Sequence, residues 1–355
     1  MTAAEHIQGQ IRDGVLAGAD LAGQDLTGVR LEGIVILESS FRGANLEGAA
    51  LNGCRLVATD LSGARLAGAD LTDSRWDQCL LAGVDGSGAT GRGALIRASD
   101  LSGAIFDRSD FSQAVLSDCH LDGLRFNQAV MVDAAFFDCR WGPADFSGAD
   151  LTRWTAPGAD LTRCRFGGAV LEMAILKGAC LDGVSWAGCR LTQVVLTEAS
   201  LKGADFGGVT LERSVLSGAL LTRANFRNAR GAQAALQGAE LSGTDFTGAD
   251  FSTANFSGAR LDGADLSRLA APNAIFRNAV CQQARFSAAQ LAYTDFSHAK
   301  VEGADFSGAD LRGANLHGLD PSRARWEGAD LTYVRRTDAD LLAAERWRSP
   351  LQGPK

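Results

Sequence analysis

Residues 61–75 read LSGAR LAGAD LTDSR, three five-residue units laid end to end. Each opens on a leucine (Leu61, Leu66, Leu71) and carries a small residue three places later (Ala64, Ala69, Ser74). Followed outward in steps of five, the large position runs from Leu16 to Leu341 and never loses phase. Of its 66 places, 58 hold Leu, Phe, Ile, Trp, Met or Val; the others are Gly86, Gly91, Ala156, Gly231, Ala271, Cys281, Pro321 and Arg336. A period of five fits neither an α-helix (3.6) nor a plain strand (2). It fits one short edge plus one turn, repeated around a tube. Each unit then sends two side chains inward, the large centre and the small residue two places before it. Glycine often stands two places after the centre, as at Gly23 and Gly63, where a tight turn needs permissive backbone.

The tube has a second period. Sampled every 20 residues, the centres read Phe106, Phe126, Phe146, Phe166, Trp186, Phe206, Phe226, Phe246, Leu266, Phe286, Phe306 and Trp326, eleven aromatics in twelve places. Aromatics gather on one side at this spacing only if residues 20 apart stack coil upon coil, so four units make one turn. The predicted ladder is core filler rather than a stacking platform for bases or sugars, because the centres point inward.

Composition agrees with a repeat array that buries a core. The chain of 355 residues has 42 glycines, 6 prolines and 2 tyrosines, yet is 46% hydrophobic, too apolar for a disordered low-complexity chain. A net charge of −8 from 42 acidic and 34 basic residues disfavours direct nucleic-acid binding, which needs a basic face. No basic segment leads into an apolar stretch, and no apolar run approaches the ~20 residues of a membrane helix; the expected compartment is the cytoplasm, without membrane contact. The eight cysteines form no Cys-x-x-Cys pair and no histidine falls at metal spacing, so neither a metal nor a cofactor is expected.

Ala19-Asp20-Leu21, Ala69-Asp70-Leu71, Ala149-Asp150-Leu151 and Ala309-Asp310-Leu311 match the Ala-Asp/Asn-Leu-x-x motif, and the chain resembles the pentapeptide repeat family over residues 14 to 341. The resemblance implies an all-β, right-handed quadrilateral β-helix. About 16 coils spaced ~4.8 Å apart would make a rod of roughly 75–80 Å. Residues 1–13 fall outside the motif and are expected to form an N-terminal cap; 14–336 form the β-helix; 337–355 form a C-terminal helix and tail. The helix is expected from Thr337, as N-cap with Asp340 three residues on, through Trp347. Leu341, Leu342 and Trp347 would cover the last coil or, as C-terminal segments do in some members of the family, pair two copies in a homodimer.

Gly86-Ser87-Gly88-Ala89-Thr90-Gly91 matches G-x-G-x-x-G, but lacks the strand before and helix after it that a nucleotide site needs. Two successive centres without side chains predict a locally thin, kinked or bulged coil near 84–93. Outward positions carry more information. The residues before the centres on one side, Val115, Ala135, Thr155, Ile175, Val195, Val215 and Ala235, joined by Phe137 and Leu37, form an apolar stripe of the kind that marks a protein interface. A second side mixes Asp145, Asp205, Asp245, Asp265 and Asp305 with Arg65, Arg125, Arg165, Arg285 and Arg325. A third is more acidic, with Asp110, Asp150, Asp250, Asp310 and Asp330.

No catalytic set can be assembled from the four scattered histidines and the Asp-rich ladders, so the expected role is a non-enzymatic interaction scaffold acting through the solenoid surface. The resemblance adds accessory proteins of secretion assemblies, and an alternative: mimics of B-DNA that bind type II topoisomerases such as DNA gyrase and protect them from quinolone-like poisons.

Overall fold

The computed structural model describes residues 3–347. The chain forms two compact units, Met1–Ser200 and Leu201–Lys355, each a stack of coils of a right-handed, four-sided parallel β-solenoid. In the first unit, helix α1 (Ala3–Gln10) precedes seven strands: β1 (Val15–Ala17), β2 (Val35–Leu37), β3 (Arg55–Val57), β4 (Arg75–Asp77), β5 (Leu95–Arg97), β6 (Val115–Ser117) and β7 (Ala135–Phe137). They lie in one parallel sheet in chain order, each step pairing residues 20 apart, as in Leu16↔Ile36 and Leu116↔Phe136. The other three sides are joined by single-residue parallel bridges at the same offset, among them Asp20↔Ser40, Asp25↔Asn45 and Arg30↔Ala50. Regular sheet therefore accounts for six of the steps counted from the sequence; later coils of this unit and all bridged coils of the second use isolated bridges.

Most of the corners that follow the regular strands are closed by a side chain. At the corner after each of β2, β3 and β5, a hydroxyl occupies the small inward position and donates to the carbonyl two residues back: Ser39 to Leu37 O (2.8 Å), Thr59 to Val57 O (3.1 Å) and Ser99 to Arg97 O (2.8 Å). Ser39 and Ser99 also accept the backbone N–H of Ala19 and Cys79, one coil earlier. After β4, β6 and β7 the thiols of Cys79, Cys119 and Cys139 donate in the same way to Asp77, Ser117 and Phe137 O (3.5, 3.2 and 3.4 Å), and on the other sides the corner closes by a backbone bond from residue i+3 to i, as in Ala44 N–H to Phe41 O (2.9 Å). From Ala159 to Ala299 this column is alanine, and the side-chain closure disappears with the hydroxyls and thiols.

The core is two columns of side chains per side. In the first unit the aromatic ladder stacks from Phe106 through Phe126, Phe146 and Phe166 to Trp186, with ring centroids 5.4, 6.1, 5.7 and 5.2 Å apart. In the second, Phe206, Phe226 and Phe246 stack at 4.7 and 4.8 Å, and Phe286, Phe306 and Trp326 at 4.7 and 4.5 Å. A further column, Phe256, Phe276 and Phe296, stacks at 4.7 Å and meets this ladder edge to face, with Phe276 and Phe286 at 86°. Edge-to-face contact is a favoured aromatic arrangement.

The expected bulge near 84–93 does not form. Backbone turns and bridges keep phase through Gly86 and Gly91, because rings from the next coil fill the vacated space. A Cβ on Gly86 would lie 2.4 Å from Phe106, one on Gly91 2.5 Å from Phe111, and one on Gly231 2.3 Å from Phe251. The alanine exceptions are solved differently. At Ala156 and Ala271 the large and small positions exchange content, with Trp154 and Leu269 fully buried two places before.

Helix α2 (Ala339–Arg346) starts one residue later than expected. Its N-cap is Asp338, whose Oδ1 accepts the Leu341 N–H at 3.0 Å, while the Thr337 hydroxyl accepts the Gly318 N–H at 3.1 Å. Nor does α2 cover the last coil: none of its side chains is buried, and Leu341 and Trp347 are 50% and 70% exposed. Its contacts to the coils are polar, through Asp338 and Glu345. Leu316, Leu319, Trp326, Leu331 and Val334 instead line an open cavity of about 330 Å³. Among the described residues no helix is long and apolar enough to cross a membrane.

Candidate functional site

Every coil presents the same backbone to solvent, so any selectivity must come from the outward residues. Their lean is fixed by the turns. The residue two after most centres has left-handed backbone, usually glycine but also Arg108 (φ 56°), Met173 (φ 58°) and Tyr293 (φ 60°). The residue before the centre stands outward from the bridge.

In the first unit this outward row is Val15, Val35, Arg55, Arg75, Leu95, Val115, Ala135, Thr155, Ile175 and Val195, each paired with the next. From Leu95 to Val195 it is apolar apart from Thr155, over five steps or about 24 Å. Leu95 and Ile175 are 41% and 42% exposed, and Phe137 (39%) and Met173 (39%) widen the row on opposite edges. Phe137 is two residues from Ala135 in β7 and therefore shares its face. Val115 and Val195 are half-buried. Leu95 and Met173 escaped the sequence reading, although Leu95 lay in the same 20-residue series one step before Val115. In the second unit the outward row is Val215, Ala235, Asn255, Ile275, Asp295 and Asn315, apolar in its first two places and mostly polar after them.

The acidic series is not a dense anionic surface. In the first unit Asp110 and Asp150 alternate with Thr90, Val130 and Val170; in the second Asp250 lies between Arg230 and Ala270, and Asp310 is bridged to Asp330. Each carboxylate is engaged by its own turn. Asp110 accepts the N–H and hydroxyl of Ser112 (3.0 and 2.6 Å), Asp150 those of Thr152 (3.0 and 2.6 Å), Asp250 those of Ser252 (3.0 and 2.6 Å) and Asp330 those of Thr332 (3.0 and 2.5 Å). Asp310 receives a two-pronged Arg312 guanidinium at 2.9 and 2.7 Å. These bonds favour the ionised form and hold Asp310 and Asp330 below the ordinary carboxylate value. On the mixed side Arg285 pairs with Asp265, Arg227 with Asp245 (3.0 Å) and Arg125 with Asp107. The sequence signal for the turn role is the recurring Asp-Leu/Phe-Ser/Thr triplet.

All eight cysteines are free thiols. Burial pushes Cys54 and Cys79 up to about 11 and Cys164 up to about 12, which leaves them protonated and unreactive at neutral pH.

A solenoid whose sides carry interchangeable surface rows defines a class of repeat proteins that bind through an extended face. The chain belongs to the pentapeptide repeats family, which matches residues 39–75, 94–133, 144–185, 174–213, 204–248, 232–268, 273–308, 289–320 and 309–341. No curated protein matches it. Similar solved structures include a pentapeptide repeat protein of the Arabidopsis thaliana thylakoid lumen, 27% identical over 30% of this chain and 74% of that one, with a TM-score of 0.25. HetL of Nostoc sp. strain PCC 7120, involved in heterocyst differentiation regulation, is 26% identical over 70% and 87%, with a TM-score of 0.19. The plasmid-mediated fluoroquinolone resistance protein QnrB1 is 19% identical over 82% and 96%, with a TM-score of 0.23. Superpositions this poor carry no functional argument, and the family assignment rests on the repeat match.

Proposed function

We propose that this protein is a non-enzymatic scaffold that binds a partner protein along the Leu95–Val195 row of its first unit. The observation that carries this reading is the exposure of Leu95, Phe137, Met173 and Ile175 on one face of a stack whose other outward positions are mostly polar. Exposed apolar rows rimmed by charge, here Arg55 and Arg75, suit partner binding. The dilution of Asp110, Asp150 and Asp250 by Thr90, Val130, Val170, Arg230 and Ala270, with Arg312 paired to Asp310, supports this reading over mimicry of DNA, which needs a dense negative face.

The test is Phe137→Asp with Ile175→Asp. Both side chains are part-exposed, so the variant should keep its circular dichroism and lose cross-linked partners that the wild type retains, with any self-association followed by light scattering. A partner set and oligomeric state unchanged by the double substitution would remove the proposal. A gyrase supercoiling assay with and without a fluoroquinolone separates the alternative: inhibition or drug protection that survives the double substitution would move the binding face to the aspartate side.

A further inference from the structure

His298, His317 and Glu345 are remote in sequence and meet at one point of the second unit. His298 leans from a left-handed turn (φ 57°) onto Gly318, where a Cβ would lie 2.4 Å from its Nδ1. His317, only 7% exposed, follows the centre Leu316. Glu345 comes from the last turn of α2. Both Nε2 atoms face the same carboxylate oxygen, at 3.1 Å from His298 and 3.3 Å from His317, and the three ligand atoms lie within 4.8 Å of one another.

We propose that these three side chains are a binding site for a zinc-class divalent cation, which staples α2 to the coils. Ligands about 2.0–2.1 Å from a tetrahedral zinc stand roughly 3.3 Å apart, and two imidazoles with one carboxylate are an established zinc set. The Nε2–Oε2 separations already match that edge length. The fourth position opens towards a groove of about 430 Å³ whose lining includes Arg277, Asp295, Asn315 and Arg335, leaving room for water or an anionic group. Nδ1 of His317 accepts the Asp338 N–H at 3.2 Å. Ligation through Nε2 places the imidazole proton on Nδ1, so this N–H must turn away. It belongs to the N-cap, outside the helical ladder, and water can take its place; the start of α2 is the part that adjusts.

The test uses the untagged full-length chain, stripped with chelator and titrated with Zn²⁺ by calorimetry and with Co²⁺ by visible absorption. The wild type should take up one equivalent, give a low-symmetry Co²⁺ spectrum and show slower hydrogen exchange over residues 339–346. Glu345→Gln keeps an oxygen that can accept from both rings, so α2 can stay docked, yet it should bind at least tenfold more weakly and lose the exchange effect; His298→Ala should behave likewise. No uptake by the wild type overturns the site. So does uptake unchanged in folded Glu345→Gln, which would place the ion elsewhere, for example at His6 or His120.

Discussion

A Cβ on Gly86 would lie 2.4 Å from Cε1 of Phe106, the ring that enters the core one coil later. The two positions share one volume. Gly86→Leu should overpack the site by about 1–3 kcal/mol, and Phe106→Ala should open it at a cost of roughly 3–5 kcal/mol. Combined, they should recover about 1–3 kcal/mol relative to the sum, the coupling expected of residues in contact. Denaturant melts of the four proteins measure this, and strict additivity would contradict the shared volume.

Phe226 stacks between Phe206 at 4.7 Å and Phe246 at 4.8 Å, with interplanar angles of 1° and 3°. Phe226→Ala should cost roughly 3–5 kcal/mol, whereas Phe226→Leu should cost distinctly less because most of the volume is kept. A melting temperature unmoved by the alanine substitution would be incompatible with the ladder as core.

Acid should loosen the turns. Asp85, Asp305 and Asp330 are held below the ordinary value of 3.8, chiefly by the hydroxyls of Ser87, Ser307 and Thr332. A carboxylate with a lowered folded-state pKa stabilises fully above its unfolded value and loses that contribution as pH falls through the folded one. Thermal stability should therefore be flat from neutral pH to about 5 and decline below about 4. Asp85→Asn with Asp305→Asn should lower stability at pH 7 and flatten the acid decline. An acid profile identical in the variant would assign the decline to other groups.

Thiol reactivity should follow burial. At pH 8 an aromatic disulfide reagent should find Cys180, which is partly accessible, well before Cys54, Cys79, Cys164 and Cys281, which are buried, and before Cys139, which is partly accessible but whose thiol is pushed up by its hydrogen bond with Cys119 and by burial. Cys180→Ser should remove the fast phase, and the remaining thiols should titrate on unfolding. A fast phase that persists in Cys180→Ser would mean that a buried corner opens readily.

Much of the fold is legible in sequence because a solenoid repeats one local solution. The five-residue phase tells which side chains point inward, and the 20-residue recurrence of Phe106, Phe126 and Phe146 tells which residues stack. The same phase marks Gly86 and Ala156 as exceptions without telling how each is resolved. Gly86 borrows a ring from the next coil, and Ala156 exchanges its load with Trp154 two places back. Surface residues are legible by side but not by state: the phase sets Asp110 and Asp150 40 residues apart in one series, while their engagement by Ser112 and Thr152 comes from the turn geometry.

The sequence by itself determined the period, the coil length and the inward columns, since these follow from which residues can be buried at a fixed step along the chain. Only the tertiary structure decided how far each outward side chain leans along the stack, which carboxylates are consumed by their own turns, and that α2 docks by Glu345 rather than by Leu341 or Trp347. The physical reason is that a repeat fixes direction around the tube and leaves position along it to neighbouring coils, whereas a helix has its own period of 3.6 and meets the five-residue phase at a point that neither pattern specifies.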